Sequence, residues 1–180
     1  MAGKIVKLER PDVKFKTSFI AAVRESQAAN NGARDFLNFN PTDLENDFAG
    51  YVPSQLCLND PAHLEPGNVL ESVFWLVDDL EFIGRVALRH ELHERLRLFG
   101  GHIGYEIRPS QQRKGLGTLI LKLALKKARD LGLERVLLTC DVDNLGSRRV
   151  IETNGGELEG EFQLEFYDKP IRRYWINLEP

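Results

Sequence analysis

The 180-residue sequence predicts an α+β fold with α/β-like alternation, in which a mixed, mostly antiparallel central sheet of about seven strands is flanked by about four helices. Three patterns lead to this expectation. Residues 72–77 and 82–88 are rich in β-forming residues and flank Asp78-Asp79, which is typical of an antiparallel hairpin. Residues 116–128 carry an apolar stripe at helical spacing, and residues 136–140 form the nearly continuous apolar run of a central strand.

The first half of the chain adds one strand and two helices to this framework. Charged and apolar residues alternate over residues 4–9, which predicts a strand, and Pro11-Asp12 then starts a helix. Asn40-Pro41 combines an N-cap with proline at the first helical position, so a second helix is expected there, ending at Pro53. Residues 59–68 are predicted to form a surface loop beside a substrate cleft.

The second half supplies the remaining elements. Residues 101–108 form a strand, and the long helix that follows is capped by Gly132. Asn144 can N-cap a short helix. Alternating apolar residues then predict two final strands, over residues 162–166 and 174–178. The stretch of residues 89–98 between the predicted hairpin and the fourth strand is a charged connection.

The length, charge and cysteine content of the chain narrow its expected domain count, partners and location. At this length and 42% hydrophobic residues we expect a single domain over residues 1–180. A net charge of -3 and the lack of a basic block argue against nucleic acid as a partner. Cys57 and Cys140 are too few for a disulfide framework, and the four histidines show no metal-ligand spacing, so no metal is expected. Without a signal peptide or an apolar run of about 18 residues, we expect a cytoplasmic protein that binds no membrane.

The segment Gln112-Arg113-Lys114-Gly115-Leu116-Gly117 lies between the fourth strand and the long helix and is predicted to bind phosphate. Two glycines let the backbone approach a ligand, and the first amides of the helix have no intrahelical acceptor. These amides and the helix dipole attract an anion, and Arg113 and Lys114 add positive charge. The segment therefore predicts a pyrophosphate cradle, whereas a glycine-hinged loop before an ordinary core helix is the alternative.

Two known phosphate-binding designs fit this segment poorly. A P-loop needs Lys and then Ser or Thr directly after its last glycine, but Gly117 is followed by Thr118 and the lysine lies upstream. A dinucleotide fingerprint needs three glycines, and Ile120 occupies the place of the third small residue.

The segment does match the Gln/Arg-x-x-Gly-x-Gly/Ala motif of the GNAT superfamily of acyl-CoA-dependent N-acyltransferases, at the strand-to-helix junction where that family carries it. The order of predicted elements also resembles the complete GNAT topology, most specifically over residues 101–156. Within the family the chain is similar to bacterial predicted acetyltransferases that carry Gly-His-Ile-Gly-Tyr before the motif and Asn-Gly-Gly after the short helix. The resemblance implies acetyl-CoA as co-substrate and no metal.

The resemblance also implies particular site residues. Cofactor contacts are expected from the backbone near Ile107, which would pair with the pantetheine arm like an added strand, and from Asn144, which could equally be only a helix cap. The expected pyrophosphate contacts come from the amides of Gln112, Arg113, Lys114, Gly115, Leu116, Gly117 and Thr118.

The proton carriers are less well defined. Glu106 is the strand residue best placed to act as general base, and an ion-paired strand carboxylate is the alternative. Many relatives carry a tyrosine as general acid where this chain has Ile151, and a glutamate where it has Thr139. Tyr167 or Tyr174 could supply the acid if the last strands fold over the cleft. A nucleophilic Cys140 is the less favoured hypothesis, because an apolar strand cysteine is more often buried packing.

The resulting hypothesis is an acetyl-CoA-dependent N-acetyltransferase that acts on a primary amine of a small molecule or peptide, by direct attack in a ternary complex. The pattern leaves open a catalytically weak acyl-CoA sensor, motivated by Ile151 and Thr139, and a non-enzymatic interaction protein of the same fold. A homodimer is one assembly compatible with the sequence.

Overall fold

The structure is a computed structural model that describes residues 5–30, 34–79 and 81–178. Seven α-helices lie in the described residues: α1 Lys16–Ala28, α2 Arg34–Asn38, α3 Pro41–Asn46, α4 Phe48–Leu56, α5 Glu94–Leu98, α6 Leu116–Asp130 and α7 Leu145–Thr153. The strands in the same residues are β1 Val6–Glu9, β2 Glu71–Asp78, β3 Glu81–Arg89, β4 Ile103–Ile107, β5 Arg135–Asp141, β6 Glu157–Phe162 and β7 Ile171–Asn177.

The strands form two antiparallel sheets rather than one continuous sheet. The first has the order β1-β2-β3-β4 and the second the order β5-β7-β6. An isolated bridge between Gly101 and Leu138 joins them next to the start of β4. The α+β class is therefore confirmed. The sheet is divided at the β4–β5 junction, where β4 has no strand partner on its β5 side among the described residues.

Two hydrophobic clusters hold the sheets against the helices. One packs α6 and α7 against the sheets and contains Ile107, Ile120 and Leu138. The other is rich in aromatic side chains and packs α1 to α4 on the opposite face of β2 and β3. Phe19 stands at its centre and stacks on Trp75 with ring centroids 4.8 Å apart. Because the clusters flank the first sheet, side chains from the two faces of one strand enter different surroundings.

The long helix and the hairpin are as predicted. α6 buries Ile120, Ala124 and Ala128, and Gly132 follows it with φ of 81° and an amide bonded to the Arg129 carbonyl. β2 and β3 pair around Asp79, which adopts φ of 50°. No helix in residues 5–30, 34–79 and 81–178 combines the length and apolar character needed to cross a membrane.

The predicted second helix is wrong in its extent. Asn40 caps α3 as expected, since its side chain accepts from the Thr42 amide. However, Asp47 leaves the helical region with φ of -135° and accepts from the Gly50 amide, so it starts a separate helix, α4. Pro53 lies inside α4 rather than ending it. The Asp47 cap thus divides the predicted helix into α3 and α4 at a point before Pro53.

The sixth strand was also predicted in the wrong place. β6 covers Glu157–Phe162, whereas Leu164 and Phe166 lie beyond its end and Phe166 is 51% exposed. β6 is an edge strand paired only with β7, so both of its faces can carry polar side chains and it lacks the alternation used for the prediction. The charged connection of residues 89–98 contains the short helix α5.

Candidate active site

The first turn of α6 presents backbone amides without protein acceptors. Gly115 is the N-cap and has no side chain that could accept from them. The amide of Leu119 is the first that is satisfied, by the Gly115 carbonyl at 3.1 Å. In the described part of the chain no acceptor is found for the amides of Leu116, Gly117 and Thr118. A helix start of this kind binds an anion readily.

The two glycines of the motif have different structural roles. Gly115 adopts φ of 77°, and a Cβ built on it would meet no atom within 4 Å, so it shapes the turn and leaves open space in front of the helix. A Cβ on Gly117 would lie 3.1 Å from Cγ2 of Val150 in α7. The second glycine therefore allows close packing of α6 on α7.

The polar side chains of the motif differ in their contacts with the rest of the protein. Gln112 donates from Nε2 to the Ile107 carbonyl at 3.0 Å and ties the loop to the end of β4. Lys114 folds back onto its own loop, where Nζ donates to the Ser110 carbonyl at 2.8 Å. Arg113 is exposed and adopts φ of 60°. The Arg113 side chain, unlike that of Lys114, makes no hydrogen bond to the loop in the described residues.

The edge of β4 that faces β5 is open next to this cradle. Arg89 donates its amide to the His102 carbonyl, and Arg108 donates its amide to the Ile83 carbonyl. Because the direction of backbone groups alternates along a strand, the even-numbered residues of β4 bond to β3. The backbone groups of Tyr105 and Ile107 therefore point toward β5, into the opening between the sheets. An extended chain could add to β4 along this edge.

Glu106 lies on the face of β4 opposite α6. It is the carboxylate of this strand, it is partly buried, and Arg85 stands directly across from it on β3. Arg85 also approaches Glu71 at 3.8 Å. Arg85 and Glu106 thus form a cross-strand pair of opposite charge.

Three positions at which many GNAT relatives carry site residues are occupied here by side chains with structural contacts. The Asn144 side chain accepts from the Ser147 amide at 2.9 Å and caps α7. Ile151 is fully buried in the core. Thr139 accepts at Oγ1 from the Gly100 amide at 3.0 Å. Neither Ile151 nor Thr139 carries a group that could act as a general acid or base at neutral pH.

The sequence analysis missed a hydroxyl pair beside the opening. The Tyr105 hydroxyl and Ser147 Oγ are 3.0 Å apart, which connects β4 to the first turn of α7. Burial raises the pKa of Tyr105 to about 12, so its hydroxyl stays protonated at neutral pH. Its place in the Gly-Tyr-Glu stretch just before the motif is the signal that could have drawn attention to it.

A second missed feature is a charge cluster behind the loop. Arg108, at the end of β4, is 9% exposed and forms an ion pair with Glu25 of α1. It also donates to Glu81 and to the Phe82 carbonyl, at 3.3 and 3.1 Å. Glu25 in turn accepts from the Ser110 amide at 3.3 Å. These contacts hold the loop that leads into α6 against α1.

The alternative proton carriers and the cysteine are poorly suited to catalysis. Tyr174 is 1% exposed, and burial raises its pKa. Tyr167 donates to Asp141 at 2.9 Å. Cys140 is 8% exposed, and burial raises the pKa of its thiol to about 11, which makes it an unreactive nucleophile at neutral pH. No group of three or more His, Cys, Asp or Glu that could hold a metal occurs in the described ranges.

Comparisons with known proteins agree with this geometry. A family profile described as "Acetyltransferase (GNAT) domain" matches residues 30–157. A comparison with curated protein sequences gave no match.

Solved structures share the fold at low sequence identity. RimL, the ribosomal L7/L12 alpha-N-protein acetyltransferase, in complex with coenzyme A has a TM-score of 0.73 at 16% identity, with 99% of this chain and 97% of that chain covered. The microcin C7 self-immunity acetyltransferase MccE with acetyl-CoA and AMP has a TM-score of 0.69 at 17% identity, with 96% and 92% covered. Mycobacterium smegmatis RimJ in complex with CoA-disulfide has a TM-score of 0.70 at 17% identity, with 97% and 82% covered.

Proposed function

The chain belongs to the GNAT family of acetyltransferases, whose donor is acetyl-CoA, and from this membership we propose that it transfers the acetyl group to a primary amine of a small molecule or peptide by direct attack. One observation carries the proposal. The unsatisfied amides of Leu116, Gly117 and Thr118 adjoin the open edge of β4, so an anion site and a site for an extended arm are continuous. Coenzyme A joins a pyrophosphate to an extended pantetheine arm.

The donor would be held by backbone groups. In this proposal the amides from Arg113 to Thr118 bind the pyrophosphate, and Arg113 adds the positive charge. The Gln112 amide, also predicted to bind it, donates instead to the Pro109 carbonyl at 3.2 Å. The exposed Asn144 lies at the start of α7 beside the same opening, and its amide nitrogen would contact the pantetheine arm. The Ile107 N–H, directed into the opening, would bond to the arm or to the negative charge that develops on the carbonyl oxygen.

Two side chains would assist the reaction. Acetyl-CoA would supply the acetyl group, coenzyme A would leave as a thiolate when the thioester C–S bond breaks, and the attacking amine must lose a proton. Glu106 would accept that proton, directly or through a water. Tyr105, positioned by Ser147, would donate a hydrogen bond to the departing sulfur; with a pKa of about 12 its hydroxyl keeps its proton, and the thiolate would be protonated by solvent. A thiol with pKa near 8.5 leaves tolerably without help, so this donor would raise the rate moderately.

RimL supports an amine acceptor by analogy, since it is described as a ribosomal L7/L12 alpha-N-protein acetyltransferase. An assay of free-thiol release with a panel of peptides, small amines and aminoglycosides tests the reaction. Turnover with any amine supports the proposal. Binding of acetyl-CoA without turnover would favour a sensor, for which the apolar Ile151 is the supporting observation.

The cradle has a sharper test at Thr118. A glutamate in the first helical turn stabilises the helix by about 0.3–1 kcal/mol, while its charge repels a pyrophosphate. We expect Thr118→Glu to keep or raise the melting temperature and to weaken acetyl-CoA binding at least tenfold by calorimetry. Thr118→Gln, with equal size and no charge, is the matched control and should bind nearly as the wild type. Equal affinity of the two variants would place the pyrophosphate elsewhere.

A further inference from the structure

An open cavity lined by charged and aromatic residues lies near the beginning of β5 and shares no residue with the cradle. Its volume is about 340 Å³, and four elements contribute to its wall. Arg97 comes from α5, His102 precedes β4, Arg135 begins β5 and Trp175 lies on β7. This volume falls within the range of small-molecule sites.

His102 presents a fixed hydrogen-bond donor to this cavity. It is 8% exposed, and its Nδ1 accepts from the Leu137 amide at 2.9 Å. An N–H group can donate only to a nitrogen with a free lone pair, so the proton of the neutral ring is on Nε2. No residue in the described ranges accepts a hydrogen bond from this Nε2–H. Burial, with smaller effects from Arg97 and Arg89, lowers the pKa of His102 to about 4, and the ring therefore stays neutral at pH 7.

Two arginines add charge to the same cavity. Arg97 donates from Nε to the Leu92 carbonyl at 3.2 Å, which orients its guanidinium. The Arg135 guanidinium carbon lies 4.3 Å from the centroid of the Trp175 ring. Neither arginine has a carboxylate within 4.0 Å in the part of the chain that the structure describes. Arg97 and Arg135 thus place two positive charges at the cavity, while the exposed Glu91 borders it and Glu159 interacts electrostatically with Arg135 from outside the lining.

We propose that this cavity binds the carboxylate or phosphate group of a small organic anion, held by Arg97, Arg135 and the His102 Nε2–H. Trp175 supplies an apolar wall for the remainder of the ligand. Arginine forks suit both kinds of anion, and the His102 Nε2–H, which has no acceptor in the described ranges, is a neutral donor to which such a ligand could bond. A cation would find only one carboxylate among these groups. The site is independent of the acetyl-transfer proposal, because it uses none of those residues.

The test uses three ligands of similar shape: benzoate, phenyl phosphate and the neutral benzamide. Each is titrated to millimolar concentrations in the presence of coenzyme A, and the indole N–H signal of Trp175 is followed by NMR. Trp175→Phe assigns the signal against that of Trp75. We expect saturable shifts with benzoate or phenyl phosphate and none with benzamide. A preference between the two anions would identify the carboxylate or the phosphate as the natural group.

Two variants test the donors. Removing one charge-assisted hydrogen bond should weaken binding about tenfold, so Arg97→Gln and Arg135→Gln should each show this loss. Arg129→Gln, on the exposed face of α6, is the matched control and should titrate as the wild type.

A measurement on the wild-type protein tests the proposal even if a variant does not fold. A bound anion favours the protonated ring, so saturating benzoate or phenyl phosphate should raise the pKa of His102 from about 4. The inference is overturned if no anion shifts Trp175, if benzamide binds equally well, or if His102 titrates identically with and without the anions.

Discussion

Breaking the ion pair between Arg108 and Glu25 should destabilise the protein measurably. Arg108 is 9% exposed and Glu25 is 31% exposed, so the pair lies between surface and interior. Exposed pairs contribute about 0–1 kcal/mol, whereas removing one partner of a fully buried pair costs about 3–5 kcal/mol. Glu81 still neutralises part of the Arg108 charge in the variant. We therefore expect Glu25→Ala to lower the free energy of unfolding by about 2 kcal/mol.

Calorimetric melting at pH 7 measures this effect. For a chain of this size 1 kcal/mol corresponds to roughly 2–4 °C, so the melting temperature should fall by about 4–8 °C. Glu45→Ala is the matched control, since it removes the partner of Arg24 from a pair with 57% and 44% exposed side chains. Its melting temperature should change by less than about 2 °C. Arg108→Met in the Glu25→Ala background should recover part of the loss, because it removes a buried charge that Glu81 alone neutralises only in part.

The effect should also depend on pH. Burial alone would raise the pKa of Glu25, but hydrogen bonds from Arg108 and Ser110 outweigh burial and lower it. The pair therefore contributes fully above the unfolded pKa, about 4.3, and its contribution is lost as pH falls through the lower folded value. The difference between wild type and Glu25→Ala should be constant near neutral pH and shrink below about pH 4.5. A Glu25→Ala protein that melts with the wild type at pH 7 would refute the reasoning.

Four further predictions concern the candidate site. Gly117→Val should lower the melting temperature because its Cβ meets Val150, and Val150→Ala should partly rescue it; additive effects would contradict the packing role. Tyr105→Phe should reduce kcat severalfold without changing the KM for acetyl-CoA, and an unchanged kcat would exclude a hydrogen bond from Tyr105 to the departing thiolate. Glu106→Gln should lower kcat/KM and remove the acidic limb of its pH profile, whereas an unchanged limb would assign the base elsewhere. Iodoacetamide at pH 8 should label Cys57 well before Cys140, whose thiolate fraction is about one in a thousand at a pKa of about 11; equal rates would contradict its burial.

Local signals in the sequence predicted the long helix and its glycine motif correctly. The apolar stripe of α6, the Gly132 terminus and the Asn144 cap depend on residues close in sequence, where spacing and backbone preference decide the conformation. The family assignment followed from the same stretch and is confirmed by the profile match to residues 30–157. The individual cofactor and catalytic residues stay predictions.

The missed features depend on contacts between distant residues. The packing of Gly117 on Val150 and the pairing of Arg108 with Glu25 join separate elements, and no local pattern reports them. The split between the two sheets is likewise invisible in sequence, because an unpaired strand edge has the same composition as a paired one. The sixth strand was misplaced because apolar alternation marks one-sided burial, which an edge strand such as β6 does not have.

Because one edge of β4 is open, some of its backbone amides should exchange hydrogen with solvent as quickly as those of an edge strand. The amides of Tyr105 and Ile107 point away from β3, so their hydrogens should exchange with solvent faster than those of Gly104 and Glu106, which bond to it. An unpaired edge on the outside of a protein invites another chain to pair and aggregate. Here it lies between two sheets of one molecule, next to the bridge from Gly101 to Leu138, where an extended ligand could pair with it. Amide exchange rates should therefore alternate from residue to residue along β4. A ligand that covers the open edge should slow the exchange of the Tyr105 and Ile107 amides.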